Sequence, residues 1–369
     1  MSAYLDHNAT SPAPDAVIDA VADAMRVVGN ASAQHAHGRA AAKLVADARD
    51  SVGMAMGQCA QDVLFTGSGT EAINTAIHSA VESGCKRLIV SSLDHPASII
   101  AAEASAAEVV MLPATSSGQT DLDALSAELS NWDPDHGRPF LSIVAANSET
   151  GVIQDTDRAI DLVHDAGGLV LIDAVQALGK LPMLYPADYV AVSAHKIGGP
   201  QGVGALYVSP DAPFTPVLHG GGQERRRRAG TLNVPGIAGF GAASRMLGRF
   251  SDVEPLRDAL QARLQEIDSS TVVFGVDEPR LANTLFFSAP GLRAMTAMMA
   301  FDLAGVSVST GTACSSGKVG ESRALRAMGR IQDAPDGAIR VSFGPGNTMT
   351  DVDKFADAYA KLRGQRKAA

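Results

Sequence analysis

Two patterns of apolar residues alternate along the first two thirds of the chain. Alanine-rich stretches with helical spacing cover residues 13–28, 36–57, 70–83 and 97–107. Short β-branched runs cover residues 86–91, 109–112, 141–145, 169–172, 189–193 and 205–208. Helices that alternate with short strands predict a mostly parallel sheet covered by helices, as in α/β folds. Ligands of such sheets bind beyond the carboxyl ends of the strands, so polar residues at those ends are candidates for function.

The pattern changes after about residue 235. One long helix is predicted over Ile237–Ile267, and it is followed by new strand-like runs. These runs cover residues 271–275, 284–288 and 338–342. They predict a second, smaller α+β lobe joined to the first through the long helix. We therefore expect a large domain over residues 13–250 and a small domain made of residues 1–12 and 251–369.

Composition narrows the class of protein. With 46% hydrophobic and 19% charged residues among 369, the chain can bury a large core. Its formal charge of −10 gives no general electrostatic reason to bind nucleic acid. The N-terminus lacks the basic-then-apolar pattern of an export signal, and no apolar run is long enough to cross a bilayer. We expect a cytoplasmic protein with neither a membrane nor a nucleic-acid partner.

The cysteines suggest thiol chemistry rather than a structural role. Cys59, Cys85 and Cys314 are too few and too scattered for a disulfide framework or a zinc site, so no metal is expected. Cys314 lies in a run of small and polar residues, 307–318, which indicates an exposed loop. Exposure is what a nucleophilic thiol needs, whereas most lone cysteines are inert buried residues.

An acid, an amide and an amine follow two strand-like runs. Asp173 and Gln176 come after the run 169–172, and Lys196 comes after the run 189–193. A carboxylate for the ring nitrogen, a donor for the phenolate oxygen and a lysine for the aldehyde are the groups that hold pyridoxal phosphate. Each also has an ordinary interpretation, since Asp173 could cap the next segment and Lys196 could be a surface lysine in a turn. The three together favour the cofactor.

A phosphate site is predicted where residues 65–71, Phe-Thr-Gly-Ser-Gly-Thr-Glu, lead from a strand into a helix. The free N–H groups and the positive end of a helix attract an anion, and glycines permit its close approach. The motif is weak by itself because its hydroxyls could be ordinary helix caps. Ser193 and His195, beside Lys196, can both donate hydrogen bonds to the same phosphate.

Further candidates lie outside these motifs. His95, at another strand end, could be a structural hydrogen-bonding residue or an imidazole that stacks on the cofactor ring and moves protons. Arg340 could be a surface charge or could bind a substrate carboxylate through its forked guanidinium. The basic run Arg225–Arg228, within the glycine-rich segment 219–231, is better suited to a phosphate than to nucleic acid in this acidic chain.

With these residues in view, the sequence resembles the class V aminotransferase branch of fold-type I pyridoxal-phosphate enzymes, and within it the cysteine desulfurases of the nitrogenase and iron–sulfur cluster type. The resemblance extends over residues 4–343. Its most specific motifs are Ser193-Ala-His-Lys196, His219-Gly-Gly-Gly-Gln-Glu with Arg228-Ala-Gly-Thr231, and Thr310-Gly-Thr-Ala-Cys314-Ser. It implies a large domain with a mostly parallel seven-stranded sheet and a smaller α+β domain that carries the cysteine loop.

The resemblance also implies roles for the candidates. Lys196 holds the cofactor, His95 stacks on it, and Asp173 pairs with its ring nitrogen. Asn147 and Arg340 bind the substrate carboxylate. The implied cofactor-binding residues are Lys196, Asp173, Gln176, His95, Gly69, Thr70, Ser193, His195 and Thr231, the last from the partner subunit of a homodimer.

The implied reaction converts L-cysteine to L-alanine, with Cys314, Lys196 and His95 as the catalytic residues. Sulfur is held as a persulfide on Cys314 and passed to an acceptor or iron–sulfur scaffold protein, for cluster assembly or thiolation. Three alternatives stay open: another class V aminotransferase, a selenocysteine lyase, and a regulatory partner that retains the cofactor without catalysis. An aminotransferase has no role for Cys314. The sequence does not distinguish a selenocysteine lyase from a cysteine desulfurase.

Overall fold

The computed structural model describes residues 2–310 and 321–367. The strands in these ranges are β1 (Ala3–Tyr4), β2 (Val63–Thr66), β3 (Arg87–Ser91), β4 (Glu108–Leu112), β5 (Phe140–Val144), β6 (Leu169–Asp173), β7 (Tyr189–Ser193), β8 (Gly204–Val208), β9 (Val272–Val273), β10 (Thr284–Ser288), β11 (Val306–Ser307), β12 (Ser309–Thr310) and β13 (Ile339–Ser342). The α-helices are α1 (Asp15–Arg26), α2 (Ala36–Ala55), α3 (Gly69–Glu82), α4 (Pro96–Glu103), α5 (Leu122–Ser130), α6 (Thr156–Asp165), α7 (Val234–Ser244), α8 (Glu254–Ile267), α9 (Ala294–Leu303), α10 (Arg323–Ala327) and α11 (Met349–Lys367).

The larger sheet has seven strands in the order β2-β8-β7-β6-β5-β3-β4. Neighbouring strands from β4 to β7 are parallel, and β8 is antiparallel to both β7 and β2. This confirms the predicted α/β fold with a mostly parallel seven-stranded sheet. The carboxyl ends of β3, β5, β6 and β7 therefore meet at one edge, as such sheets require for a ligand site.

The central strands of this sheet are buried on both faces. In β6, Val170 and Ile172 belong to a core formed with α1, α2, α5, α6 and α7, while Leu169 and Leu171 belong to a second core formed with α3 and α4. Successive side chains of a strand point to opposite faces, so an unbroken apolar run supplies both cores at once. This explains why the predicted strands read as continuous β-branched runs.

A third core, separate from the two cores of the large sheet, lies in the later part of the chain. Its sheet is antiparallel, in the order β12-β13-β10-β9, and it packs with α8, α9 and α11. Ala3 and Leu5 belong to the same core, and β1 pairs in parallel with β11. The division into a large domain (residues 13–250) and a small domain (residues 1–12 and 251–369) stays a prediction. It is supported by this core, to which both the N-terminal segment and the later part of the chain contribute.

The predicted single helix over Ile237–Ile267 is wrong. The structure has two helices, α7 and α8, separated by residues 245–253. Gly248 has a φ of +89°, outside the right-handed helical region, and Pro255 lies in the first turn of α8, where its missing N–H is tolerated. The apolar spacing continues across this break, so periodicity alone did not reveal it. Within the described ranges, no helix is both long and apolar enough to cross a membrane.

Candidate active site

A cavity of about 260 Å³ lies at the carboxyl edge of the large sheet, where β13 of the second sheet faces it. It is lined by the following residues that the sequence singled out: Gly69, Thr70, His95, Asn147, Asp173, Gln176, Ser193, His195, Lys196 and Arg340. These residues come from the starts of α3 and α4, from the ends of β5, β6 and β7 or the loops after them, and from within β13. The fold therefore brings together residues that are far apart in the chain.

Two predicted site residues are not in this group. Thr231 is exposed on the surface of the single chain and does not line the cavity. Cys314 lies outside the described residues.

Lys196 lies on a short 3₁₀ turn, Ala194–Ile197, directly after β7. Gly198 ends the turn with a φ of +82°, a left-handed conformation that favours glycine. The Lys196 ammonium donates to the backbone oxygen of Asn8 at 2.6 Å and to that of Ala9 at 2.9 Å. The N-terminal segment thus holds this lysine at the cavity.

Asp173 is the last residue of β6 and is 3% exposed. One carboxylate oxygen accepts from the backbone N–H of Val175 at 3.0 Å, so the expected capping contact is present. Burial raises the pKa of Asp173, and the nearby charges of His95 and Lys196 oppose this rise. A buried carboxylate is stabilised by a cationic partner, and a protonated ring nitrogen is such a partner.

The start of α3 forms one wall of the cavity. Ser68 caps the helix by accepting from the N–H of Glu71 at 3.1 Å, and Glu71 in return accepts from the N–H of Gly67 at 2.7 Å. Gly69 and Thr70 occupy the first turn, where N–H groups have no intrahelical acceptor. A Cβ on Gly69 would lie 2.8 Å from Cγ2 of Val175, so any larger residue here would force Val175 to move.

His195 faces the same wall. Its Nδ1 is buried and has no hydrogen-bond partner among the residues that the structure describes. Burial lowers the pKa of His195 to about 4, and the charge of Lys196 adds to the effect. The ring is therefore neutral near pH 7, with one N–H to donate and a buried nitrogen that needs a partner.

His95 begins α4, and its Nδ1 accepts from the backbone N–H of Ala97 at 3.1 Å. Because Nδ1 accepts, the proton of the neutral ring is on Nε2. The structural role considered for this histidine is thus present, and the ring still lines the cavity. A helix cap of this kind fixes the ring position before any ligand binds.

Asp94, beside His95, is a buried acid that the sequence interpretation did not use. Its two oxygens accept from Ser142 Oγ and from the N–H of Val144, both at 2.7 Å. Burial, together with the neighbouring charge of Asp173, raises the pKa of Asp94 to about 7. Through its two hydrogen bonds to Ser142 and Val144, the carboxyl group attaches the loop before α4 to strand β5.

Replacing Asp94 with asparagine tests whether the pKa of the buried carboxyl group is raised. The amide oxygen can accept from Val144 N–H and the amide N–H can donate to Ser142 Oγ, so only the titration is lost. Between the usual aspartate pKa and about 7, the folded wild type keeps a proton that the unfolded chain has lost, so its stability falls as pH rises. Relative to wild type, the variant should gain about 2–3 kcal/mol in unfolding free energy between about pH 5 and about pH 8.

Urea unfolding of the two apoproteins measures this difference. Asp123→Asn, at an exposed ion pair with Arg158, is the matched control and should show little pH dependence. A difference for Asp94→Asn that stays flat or falls with pH would show that the buried carboxyl is not protonated.

Arg340 lies on β13, is 2% exposed, and points across the gap between the two sheets. One guanidinium nitrogen donates to Asp6 at 2.8 Å and another to the backbone oxygen of Ser148 at 2.9 Å. Its Nε is buried without a partner among the described residues. Asn147 lies nearby, with its oxygen accepting from two backbone N–H groups of its own turn. The arrangement presents donors for a carboxylate.

Known proteins identify this arrangement. The profile of the family described as aminotransferase class-V matches residues 3–355. The chain belongs to the class-V aminotransferase family. A cysteine desulfurase of Gluconacetobacter diazotrophicus is 36% identical over 380 residues, covering 98% of this chain and 94% of the relative. An IscS-like cysteine desulfurase of Mycobacterium tuberculosis is 33% identical over 388 residues, covering 99% and 98%. These findings confirm the resemblance seen in the sequence.

Solved structures of the family agree with the fold. A NifS-like protein superposes with a TM-score of 0.90 at 31% identity, covering 99% of this chain and 100% of that protein. A NifS-like protein from Rickettsia africae gives the same TM-score at 28% identity. The fold-type I architecture predicted from the sequence is therefore confirmed.

Class-V aminotransferases depend on pyridoxal phosphate, and the cavity fits this cofactor. The unpartnered Nδ1 of His195 and the first-turn N–H groups of α3 suit a phosphate. The buried carboxylate of Asp173 suits a protonated ring nitrogen, and the Lys196 amine suits an aldehyde. One cavity thus contains a carboxylate for the ring nitrogen, an amine for the aldehyde and N–H groups for the phosphate, which are the groups that the cofactor requires.

Three polar residues at or beside the cavity, Asn8, Lys180 and Asp6, were missed from the sequence. Asn8 is 1% exposed and contacts both Lys196 and Gln176 through its backbone oxygen. Lys180 donates to Gln176, and Asp6 accepts from Arg340. The polar cluster Asp6-His-Asn8 after an apolar start, and a lysine four residues after Gln176, were the available signals.

Proposed function

We propose that this class-V protein is a cysteine desulfurase that uses pyridoxal phosphate to convert L-cysteine to L-alanine. The observation that carries the proposal is the meeting of Lys196, Asp173 and Arg340 in one cavity of a chain whose relatives at 33–36% identity are cysteine desulfurases. The first two suit the cofactor, and the third suits the carboxylate of an amino acid.

The residues that hold the cofactor are assigned by their chemistry. Asp173 would accept from the ring N–H, Gln176 would donate to the phenolate oxygen, and His95 would lie against the ring. Gly69, Thr70, Ser193 and His195 would bind the phosphate. When bound, pyridoxal phosphate supplies a ring that delocalises negative charge from the substrate α-carbon.

Proton movement falls to two residues. Lys196 would hold the cofactor through its amine, and the same amine is the base that would take the α-proton of L-cysteine. His95 carries a proton on Nε2 and lines the cavity, so it can pass a proton to or from the substrate. Asn147 and Arg340 hold the substrate carboxylate, which orients the α-carbon toward the lysine.

Sulfur transfer is assigned to Cys314. Its thiolate attacks the substrate sulfur, so an S–S bond forms while the bond between sulfur and the β-carbon breaks. The electron pair of the broken bond stays with the carbon fragment, which takes up protons and leaves as alanine. Cys314 keeps the sulfur as a persulfide, and a thiol acceptor removes it.

The proposal includes a second subunit, a sulfur-acceptor protein and a cellular location. The working unit is a homodimer in which Thr231 of each subunit reaches the phosphate site of the other, which fits its exposed position in the single chain. A sulfur acceptor, such as an iron–sulfur scaffold protein, takes the persulfide sulfur. The reaction belongs in the cytoplasm.

Replacing Arg340 with lysine should weaken substrate binding more than turnover. Lysine keeps the charge but loses the forked pair of donors, so KM for L-cysteine should rise about 10–100-fold with a smaller change in kcat. The methyl ester of L-cysteine has no carboxylate, so the variant and the wild type should use it equally well. Steady-state kinetics with both substrates measures the effect.

The control is Arg257→Lys, at another buried arginine of the same lobe that does not line the cavity. It should leave both KM values within about twofold of wild type. If Arg340→Lys changed the two substrates by the same factor, Arg340 would not bind the carboxylate.

The function itself is tested by measuring products. Purified protein with pyridoxal phosphate, L-cysteine and a thiol reductant should release alanine and sulfide in equal amounts, without any need for a keto acid. Amino transfer to a keto acid without sulfide would instead identify an aminotransferase. Turnover of L-selenocysteine alone would identify a selenocysteine lyase.

A further inference from the structure

Lys180 lies next to the proposed cofactor site without lining the cavity. Its ammonium donates to Oε1 of Gln176 at 2.8 Å and to Oδ1 of Asn8 at 3.0 Å. None of the ion pairs among the described residues includes it. Burial lowers the pKa of Lys180 well below its usual value, and the charges of Lys196 and Arg340 add to this. A lysine in this setting costs stability, so its position needs a reason.

Backbone carbonyls fix how both amides are turned. The NH₂ group of Gln176 donates to the backbone oxygen of Asn8 at 2.9 Å, and the NH₂ group of Asn8 donates to the backbone oxygen of Ser148 at 3.3 Å. A carbonyl oxygen only accepts, so each amide must present its NH₂ group to the carbonyl. Both amide oxygens are then left as acceptors for Lys180, and the Asn8 oxygen also accepts from the side-chain NH₂ group of Asn283 at 3.0 Å.

The Gln176 amide has one N–H group to spare. Its first N–H binds the backbone oxygen of Asn8, its oxygen is taken by Lys180, and the residue lines the cavity. The same Asn8 oxygen accepts from Lys196 at 2.6 Å. Lys180, Gln176, Asn8 and Lys196 therefore form one connected hydrogen-bond network at the cavity.

We propose that Lys180 is a positioning residue. By holding the oxygens of Gln176 and Asn8, it keeps the second N–H of Gln176 directed at the phenolate oxygen of pyridoxal phosphate. The inference rests on the proposed assignment of Gln176 to that oxygen. Lys180 acts through Gln176 and does not touch the cofactor or the substrate.

Loss of the Lys180 donor has a defined physical consequence. The amide oxygen of Gln176 would be buried without a hydrogen bond, which is unfavourable. Rotation of the side chain toward another donor removes that penalty but also turns the second N–H away from the cavity. The cofactor then loses a hydrogen bond at its phenolate oxygen, which affects both its affinity and its visible absorption.

The test is a double-mutant cycle on cofactor binding. Apoprotein carrying Lys180→Met is titrated with pyridoxal phosphate, and Kd and the absorption maximum are recorded. We expect Kd to rise about 10-fold and the band to shift. Lys180→Arg, which keeps a charged donor, should recover most of the affinity and the wild-type band. Lys86→Met, at a lysine that donates to a surface carbonyl, is the matched control and should change neither quantity.

The decisive comparison uses the Gln176→Ala background. If Lys180 acts through Gln176, Lys180→Met should change Kd by less than about twofold there. An equal loss of affinity with and without Gln176 would overturn the proposal, as would a Lys180→Met protein with wild-type Kd and absorption. If thermal unfolding shows that the Lys180→Met apoprotein is not folded, Lys180→Gln, a shorter neutral donor, takes its place in the same cycle.

This experiment and the test of function fail independently. Cofactor binding and absorption require no L-cysteine, so the cycle remains interpretable in a protein that makes neither alanine nor sulfide. Conversely, full desulfurase activity together with an additive cycle would overturn only the role of Lys180.

Discussion

Replacement of Lys196 with alanine is expected to lower the rate of alanine formation from L-cysteine by about 10³-fold or more, since one residue supplies both the cofactor link and the base. The amine is placed just after the end of β7 and is held there by two backbone oxygens. Alanine release measures the rate. Borohydride treatment followed by peptide mass spectrometry should find the pyridoxyl group on Lys196 in wild type and on no peptide of the variant.

Lys86→Ala is the matched control for this prediction. That lysine also donates to a backbone carbonyl, but on the surface and away from the cavity. It should keep wild-type activity and the same labelled peptide. A Lys196→Ala protein that remains covalently labelled and active would show that another amine holds the cofactor.

Replacement of Cys314 with serine is expected to separate cofactor chemistry from sulfur transfer. Serine is not ionised near neutral pH and is a poor nucleophile toward sulfur, so steady-state alanine formation should fall about 100-fold or more. The variant still has Lys196, Asp173 and Arg340, so L-cysteine should still change the visible absorption of the bound cofactor. Rapid-mixing absorbance and product analysis measure the two effects on one sample.

Cys59→Ser is the control, because Cys59 is an exposed free thiol. Its activity should match that of wild type. If Cys59→Ser lost activity and Cys314→Ser kept it, Cys59 would accept the sulfur, and the assignment of the persulfide to Cys314 would be wrong. If both kept activity, Cys314 would not be needed for turnover.

Much of the fold follows from local sequence, because an unbroken apolar run in a parallel sheet must be buried on both faces. Residues 169–172 and 189–193 are predicted as strands from their short β-branched runs, and they lie in β6 and β7. The break between α7 and α8 was missed, because apolar spacing continues through residues 245–253. Only the conformation of Gly248 and the place of Pro255 reveal the turn.

The site was predictable where chemistry sits at a strand end. Asp173 and Lys196 directly follow apolar runs, so the rule for parallel sheets was enough to place them together. Asp6 and Arg340 are 334 positions apart, and their contact depends on the parallel pairing of the N-terminal segment with β11 and with the end of β13. Lys180 was missed because its role depends on which way the Gln176 amide is turned.

The most direct measurement is a single turnover of the purified wild-type protein without reductant. With L-cysteine supplied at one equivalent per subunit, we expect one alanine per subunit and one added sulfur atom on the peptide that contains Cys314. Alanine formed without any sulfur on Cys314, or sulfur on Cys314 without alanine, would contradict transfer of the substrate sulfur to this thiol.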